Sequence, residues 1–287
     1  MSSLADKAAF PFCVRRHPAM VRPMKFSLGR ILLILLALQV GASASNSVVN
    51  LSHYDLMRVD FEQMRNQGIV GVIHEATYPR NVRDEKYLAR QNAATRAGLL
   101  WGAYHYANAS NPTAQADFFL NSVSAAWHAA DPAGRPRHVL LVLDLEKNGH
   151  YPGGTMRVDQ AVAFVQRIKQ RTGEYPGLYS GENRIRAIVN DPKVSAADKR
   201  VLAGCWLWVA NYHYRPVNVA PWNRWTLWQY CGDGVCDLPR AAFPKSIANI
   251  RNAERNFFDG TPGDVRDFWQ AHGWQPGDAR TGTANTE

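Results

Sequence analysis

Cysteine is scarce in this sequence, with four residues in 287, and the cysteines lack the spacing of the common zinc sites. Loss of the N-terminal segment described below would leave Cys205, Cys231 and Cys236, an odd number, so at least one thiol is unpaired or bonded between chains. Cys231 and Cys236 are close enough in sequence to staple a loop in an oxidising compartment. His74-Glu75 lacks the second histidine of a metalloprotease helix. We therefore expect structural cysteines and no metal site.

The most apolar run of the chain is too short to span a bilayer. It covers Ile31–Val40, whereas a spanning helix needs about 20 apolar residues. Lys25 and Arg30 precede this run and small residues follow it at 42–44, which is the pattern of a cleavable export signal. We predict cleavage after residue 44, a true translation start at Met24, and a mature protein that is periplasmic or extracellular and has no membrane anchor.

The excess of positive charge is small once that segment is removed. Residues 1–44 hold six Lys or Arg and one acidic residue, so their loss lowers the formal net charge from +9 to +4. No cluster of Lys and Arg stands out, which argues against nucleic acid as a partner. Mild basicity suits an anionic polymer such as a bacterial envelope. We predict one domain over 45–274, a flexible polar tail over 275–287, and a monomer.

The sequence is rich in apolar, strand-like runs that alternate with helix-like runs ending at glycine. This alternation predicts parallel βαβ units. Polar and aromatic residues recur where the strands end, as at the active-site face of a (β/α) barrel. A nucleotide-binding sheet would need a glycine-rich loop after its first strand, whereas residues 50–54 contain no glycine. Strands are predicted at 48–52, 70–77, 101–107, 139–146, 175–180, 205–212 and 225–231, and helices at 61–67, 84–97, 111–127 and 155–172, with two weaker helices in 182–203.

The strand over 139–146 ends in two carboxylates, which are the strongest candidates for chemistry. Side chains alternate along a strand, so Asp144 and Glu146 share a face. Two buried carboxyl groups repel each other, which raises the pKa of one and leaves the other ionised. A proton donor beside an anion is what cleavage of a glycosidic bond requires. The alternative explanation is a strand that simply emerges into solvent.

Eight short motifs follow one another between residues 48 and 269. They are Asn-Leu-Ser-His-Tyr (50–54), Gly-Ala-Tyr-His-Tyr (102–106), Gln-Ala-Asp-Phe-Phe (115–119), Leu-Asp-Leu-Glu (143–146), Gly-Leu-Tyr-Ser (177–180), Leu-Trp-Val-Ala (207–210), Leu-Trp-Gln-Tyr (227–230) and Arg-Asn-Phe-Phe (255–258). With these motifs in this order, the sequence resembles glycoside hydrolase family 25, the muramidases that cut peptidoglycan between N-acetylmuramic acid and N-acetylglucosamine. The resemblance implies an α/β fold, an irregular TIM-like barrel of about five β/α units closed by additional antiparallel strands.

The resemblance also implies a role for each carboxylate. Glu146 would be the general acid that protonates the leaving sugar oxygen. Asp144 would assist the substrate's 2-acetamido group as that group attacks the anomeric carbon, which is an exception to the usual scheme of two catalytic carboxylates. The predicted function is therefore that of a lysozyme-type hydrolase that cleaves β-1,4 bonds of peptidoglycan, with no cofactor and no metal.

The sequence departs from the family pattern at three places. The family usually has Asp where this chain has Asn50 and Glu254, and often Lys or another residue at His74-Glu75. Asn50 keeps the hydrogen bonding but removes a charge, so we expect weaker repulsion and lower pKa values for the remaining acids. Glu254 keeps the charge and adds a methylene, which moves the carboxylate by about an ångström.

Substrate-binding residues are predicted among the polar and aromatic groups at the strand ends. Tyr104, Tyr179 and Trp208 could stack on sugar rings or, equally well, fill the barrel interior. By resemblance, Tyr179 would also bond the acetamido oxygen. The departures leave two alternatives to an active muramidase, namely a weak or re-specialised hydrolase of another amino-sugar polymer and a catalytically silent glycan- or wall-binding protein. A salt bridge between Glu146 and an arginine would favour the silent protein. The predicted substrate-binding set is Asn50, Tyr104, Tyr179, Trp208 and Glu254.

Overall fold

The computed structural model describes residues 44–149 and 151–277. The predicted start at Met24 and the export signal up to residue 43 lie outside the described residues, as does the predicted tail from residue 278 onward. Within the described ranges, no helix is both long enough and apolar enough to cross a membrane.

The described residues form nine strands and seven α-helices, and the predicted alternation of strands and helices is confirmed. The strands are β1 (Ser45–Leu51), β2 (Gly71–Tyr78), β3 (Val82–Arg83), β4 (Leu100–Tyr106), β5 (Val139–Asp144), β6 (Gly177–Gly181), β7 (Trp206–Ala210), β8 (Leu227–Cys231) and β9 (Glu254–Phe258). The helices are α1 (Phe61–Asn66), α2 (Tyr87–Arg96), α3 (Pro112–Ala129), α4 (Val158–Thr172), α5 (Glu182–Asn190), α6 (Ala196–Ala203) and α7 (Pro262–His272).

Eight of the strands close into a barrel, which confirms the predicted fold class. Their order is β1-β9-β8-β7-β6-β5-β4-β2, and pairing of β1 with β2 closes the circle, while β3 pairs only with the outer end of β2. Five of the parallel strands, β1, β2, β4, β5 and β6, lead into helices, and the antiparallel β9 leads into α7. The closing part has no helix in residues 211–226, all of which are described. There β8 runs parallel to β7, and β9 is antiparallel to both of its neighbours.

Alternation along the strands separates two apolar layers. On β5, Val139, Leu141 and Leu143 belong to the layer between barrel and helices, whereas Leu140 and Val142 belong to the barrel interior. Residues two apart on a strand face the same way, so the next inward position after Val142 is residue 144, and the one after that is residue 146. The same parity holds around the barrel and places the last inward residue of each parallel strand, and the first inward residue of the antiparallel β9, at one end of it.

Local sequence signals explain where the helices begin and end. Asn111 Oδ1 accepts a hydrogen bond from the backbone N–H of Ala114, and Pro112 occupies the first helical position, so α3 begins as predicted. Helix α4 ends before Gly173, whose φ of 87° is a left-handed conformation that glycine adopts without strain. The helices therefore pack against the barrel in the lengths that the sequence indicates.

Three elements of the structure were not predicted from the sequence, namely the two-residue strand β3, strand β9 and helix α7. Strand β9 turns Glu254 and Asn256 toward the barrel interior, so it lacks the apolar inner face by which a strand is recognised. Helix α7 does carry a signal, because Thr261 and Asp264 exchange hydrogen bonds between side chain and backbone at its start. That capping pattern in the sequence would have been enough to predict α7.

Candidate active site

The last inward residues of the strands surround a cavity of about 480 Å³ at the carboxyl end of the parallel strands. Active sites of (β/α) barrels lie at this end, because the loops after the strands meet there. The cavity brings together residues that are up to about 200 positions apart in the chain. All seven site residues predicted from the sequence line it: Asn50, Tyr104, Asp144, Glu146, Tyr179, Trp208 and Glu254.

Asp144 and Glu146 both face the cavity, as the strand alternation predicts. Burial is the main cause that raises the pKa of Asp144 well above its usual value, and the nearby Glu146 and Glu75 raise it further. Burial, together with the charge of Asp233, raises the pKa of Glu146 to about 7. Burial disfavours the charged form of both carboxyl groups, so the pKa of both is raised in the free protein, whereas the sequence predicts a raised pKa for only one of them.

The carboxyl groups of this pair have few partners in the protein itself. Asp144 Oδ1 is buried and has no hydrogen-bond partner among the described residues. Arg184 lowers the pKa of Glu146, but its guanidinium donates to the carbonyl oxygens of Leu145 and Met156, at 3.1 and 2.9 Å. No arginine or lysine of the described ranges forms an ion pair with Glu146. The contact that would favour a silent protein is thus absent there.

A chain of amide groups fixes the opposite wall of the cavity. Asn50 Oδ1 accepts hydrogen bonds from Gln229 Nε2 at 3.2 Å and from Asn256 Nδ2 at 2.9 Å. These two donors determine which end of the Asn50 amide is the oxygen, so its Nδ2 donates to Glu254 Oε2. Trp208 Nε1 completes the chain by donating to Asn256 Oδ1 at 2.7 Å. The wall is rigid because each buried amide bonds its neighbours in one orientation.

The aromatic residues of the cavity are packed and hydrogen-bonded as well as facing the empty space. Tyr104, Tyr179 and Trp208 are almost fully buried. The rings of Tyr179 and Trp208 meet edge to face with centroids 4.6 Å apart. The hydroxyl of Tyr179 donates to Gln229 Oε1 at 2.5 Å, and Tyr212 donates to the same oxygen at 2.9 Å. These side chains therefore fill the barrel and form the cavity wall at once.

Comparison with known proteins identifies the family. The model described as "Glycosyl hydrolases family 25" matches residues 49–237. This chain belongs to glycosyl hydrolase family 25. Lysozyme M1 of Streptomyces globisporus is 27% identical over 218 residues, which are 70% of this chain and 69% of that protein. Membership of this family makes the chain a glycoside hydrolase.

Solved structures of lysozymes and muramidases share the fold of this family 25 chain. The bacterial lysozyme of Streptomyces coelicolor superposes with a TM-score of 0.59 at 23% identity, covering 79% of this chain and 99% of that one. The muramidase of Acremonium alcalophilum superposes with a TM-score of 0.56 at 22% identity, covering 78% of this chain and 98% of that one. At this level of identity the likeness shows the barrel fold.

Two of the departures from the family 25 pattern are in direct contact. Asn50 donates to Glu254, so a neutral amide stands against the carboxyl group at the position where the family pattern would place two acids. This hydrogen bond lowers the pKa of Glu254, but burial and the charge of Asp233 outweigh it. The net result is a pKa of about 8 for Glu254. The two departures therefore act together, because the amide of Asn50 is the hydrogen-bond donor to the carboxyl group of Glu254.

Several functional residues of this family 25 site were not predicted from the sequence. Gln229 bonds to both the amide wall and the two tyrosines, yet it stands in a strand of ordinary apolar appearance. Asp233 lies in a tight turn that resembles any surface turn, although it lines the cavity. Glu75 also lines it, and the sequence analysis assigned it no role. Together with the predicted acids, these residues give the cavity lining five carboxyl groups and a single lysine, Lys147.

Proposed function

We propose that this protein is a lysozyme-type N-acetylmuramidase that cleaves β-1,4 bonds between N-acetylmuramic acid and N-acetylglucosamine in peptidoglycan. The observation that carries the proposal is the pair Asp144 and Glu146, which share one cavity, while Glu146 has a pKa of about 7 and no cationic partner in the described ranges. The relatives described above, a lysozyme and a muramidase, support peptidoglycan as the substrate.

Glu146 is the proton donor of the proposed reaction. Below about pH 7 its carboxyl group is protonated and can give its proton to the glycosidic oxygen as the bond to the anomeric carbon breaks. The carboxylate that remains can then take a proton from the water that attacks in the second step. A single group can serve as acid and then as base because its pKa lies near the operating pH.

Asp144 is the partner of the substrate's acetamido group. Its Oδ1 is a buried acceptor without a donor among the described residues, and an acetamido N–H supplies the missing hydrogen bond. That bond favours the ionised form of Asp144 and so offsets the effect of burial on its pKa. The acetamido oxygen, made more nucleophilic, bonds to the anomeric carbon as the leaving oxygen departs, and water later hydrolyses this cyclic intermediate. The two steps use only the substrate, water and side chains of this chain.

The wall of amide side chains, formed by Asn50, Gln229 and Asn256, gives the cavity a fixed shape on the side opposite Asp144 and Glu146. Asn50, Gln229 and Asn256 are almost fully buried, and the last two both donate to Asn50, so these side chains do not need to reorganise when a sugar binds. Glu254, held by Asn50, adds a carboxyl group whose pKa of about 8 keeps it largely neutral at pH 7. A neutral Glu254 can donate a hydrogen bond to a sugar hydroxyl without repelling Asp144.

Digestion of purified peptidoglycan tests the proposal. The wild type should release fragments that end in reducing N-acetylmuramic acid, identified by mass spectrometry. Glu146→Gln should lower the rate by about 10²- to 10⁴-fold, the usual contribution of a general acid. Glu174→Gln, an identical change at an exposed carboxyl group outside the cavity, is the matched control and should leave the rate unchanged. Fragments that end in reducing N-acetylglucosamine, or full activity of Glu146→Gln, would contradict the assignment.

The silent alternative makes a different prediction in the same experiment. If the protein only binds glycan, the wild type itself would release no fragments. Glu146→Gln would then bind peptidoglycan as tightly as the wild type in a pelleting assay.

The proposal further includes export of the chain, with cleavage after residue 44, and a monomeric mature protein. Sequencing the N-terminus of the protein recovered from cell envelope and medium tests the first statement, and light scattering of the purified protein tests the second.

A further inference from the structure

A second cluster of titratable residues lies on the side of the cavity formed by β2. Glu75 faces the cavity from β2, His53 follows β1, and Asp84 follows β3. One ligand atom of each residue lies within 4.8 Å of a ligand atom of the other two, and His53 Nδ1 is in direct hydrogen-bond contact with Glu75 Oε2. The three residues come from three separate segments of the chain, so no spacing motif in the sequence reveals them. The steps proposed above leave this cluster unused.

Asp84 contributes a buried carboxylate oxygen that has no donor. Its side chain is 0% exposed, and its Oδ1 accepts a hydrogen bond from the backbone N–H of Lys86 at 2.8 Å. Its Oδ2 has no hydrogen-bond partner among the described residues. His74 Nδ1 lies 3.5 Å away, but that nitrogen is 2.7 Å from the carbonyl oxygen of Glu75 and donates there. An unpaired carboxylate oxygen at such a depth is costly unless a cation binds it.

The two cationic side chains nearby do not neutralise this cluster. Lys86 Nζ donates to two backbone carbonyl oxygens of the loop 52–57, and the guanidinium of Arg90 donates to three of them. In the described ranges neither cation forms an ion pair with Glu75 or Asp84. The two cations instead hold the loop that carries His53 over the carboxyl groups. Among the described residues, the side chains within ion-pair distance of Glu75 and Asp84 are therefore two imidazoles, that of the partly exposed His53 and that of the buried His74.

We propose that His53, Glu75 and Asp84 bind a divalent transition-metal ion, for which Zn²⁺ is the best match. One imidazole nitrogen and two carboxylate oxygens are ordinary zinc ligands, and three protein ligands leave the fourth position for water or for a group in the cavity. The other imidazole nitrogen, His53 Nε2, lies 3.5 Å from the hydroxyl of Tyr151, which can orient the ring as an outer partner. Ca²⁺ and Mg²⁺ fit less well, because they require six or more oxygen ligands.

Metal binding can be measured without reference to activity, so this test is independent of the proposed muramidase. The purified protein is freed of metal with a chelator, dialysed, and titrated with ZnCl₂ in a calorimeter. One ion per chain should bind, and MgCl₂ and CaCl₂ should give no comparable heat. Asp84→Asn and His53→Gln should each weaken zinc binding at least about tenfold, since even outer partners of a metal contribute that much. His53 is half-exposed, so its variant should fold even where Asp84→Asn does not.

Two controls separate this site from adventitious zinc binding. His213 and Asp237 form an imidazole–carboxylate contact at 2.6 Å on the exposed surface, outside the cluster, and His213→Gln should leave the affinity unchanged. The buried thiols Cys205, Cys231 and Cys236 could also attract zinc, so Co²⁺ replaces Zn²⁺ in an absorption experiment. The expected spectrum has no thiolate-to-metal charge-transfer band. A thiolate band, equal binding by His53→Gln, or no saturable binding by the wild type would overturn the proposal.

Discussion

The contact between Asn50 and Glu254 predicts what a second carboxyl group at this place would do. Asn50 is almost fully buried, and its amide oxygen already accepts two hydrogen bonds, from Gln229 and Asn256. In Asn50→Asp those two bonds remain, because a carboxylate also accepts. The bond to Glu254 does not remain, because position 50 no longer carries a donor. The pair must therefore keep a proton, with Glu254 donating to Asp at position 50.

The size of the effect follows from the separation of the two groups. Two charges at a hydrogen-bond separation of about 3 Å repel by about 5 kcal/mol at an effective dielectric constant of about 20. At about 1.4 kcal/mol for each pKa unit, this repulsion corresponds to about four units. Glu254 in the wild type has a pKa of about 8, so the last proton of the variant pair should leave only at strongly alkaline pH.

Stability should then depend on pH in a way that distinguishes the variant from the wild type. The folded pair holds a proton that the unfolded chain has released, so the free energy of unfolding falls as pH rises until the folded-state pKa is passed. For Glu254 of the wild type the fall ends near pH 8. For Asn50→Asp it continues, and the variant should lose about 3 kcal/mol relative to the wild type between about pH 8 and pH 10. Urea titrations followed by tryptophan fluorescence at several pH values measure this difference.

The double variant Asn50→Asp/Glu254→Gln is the matched control. It exchanges the amide and the carboxyl group, so one donor again faces one carboxylate and no proton has to be shared. Its stability should run parallel to that of the wild type over the same alkaline range. The reasoning is refuted if Asn50→Asp also runs parallel to the wild type, or if the double variant falls as steeply as the single one.

The remaining predictions concern the acid of the reaction and the amide wall. Peptidoglycan cleavage by the wild type should fall as pH rises through about 7, where Glu146 loses its proton, and a flat rate from pH 5 to 9 would contradict this role. Asp233→Asn should move that alkaline limb to lower pH and Arg184→Gln should move it to higher pH, because the two charges act on Glu146 in opposite directions; limbs that move together would argue against a direct charge effect. Trp208→Phe leaves the buried oxygen of Asn256 without its donor and should cost about 1–3 kcal/mol of unfolding free energy, whereas a loss below about 0.5 kcal/mol would show that water replaces the indole.

The reliability of the sequence-based predictions differs between the parts of the site. Asp144 and Glu146 were found because β5 is a continuous apolar run with a strict alternation that the pair continues. Gln229 and Asn256 were not found, because a single polar residue in a short strand has no pattern of its own. Their importance arises from bonds to residues that are between 17 and 206 positions away in the chain.

The pKa values show the same limit from another direction. The sequence predicts that two neighbouring carboxyl groups repel each other, and the structure agrees that Glu146 raises the pKa of Asp144. The sequence does not predict that burial raises the pKa of Asp144 more strongly than repulsion does. Burial depends on how completely the barrel encloses the end of the strand. For the same reason Asp233 does not stand out in the sequence, although its charge raises the pKa of both Glu146 and Glu254.

The sequence by itself determined the succession of strands and helices, the closed α/β barrel and the two carboxylates at the end of β5. These features depend on periodicity and on local signals such as Asn111-Pro112 and Gly173, which act over a few residues. Only the tertiary structure decided that Asn50 and Glu254 bond to each other, and that His53, Glu75 and Asp84 meet on one wall of the cavity. Closure of the barrel makes neighbours of strands that are far apart in the chain, and contacts of this kind follow from strand order and register, which the residues of one strand do not specify.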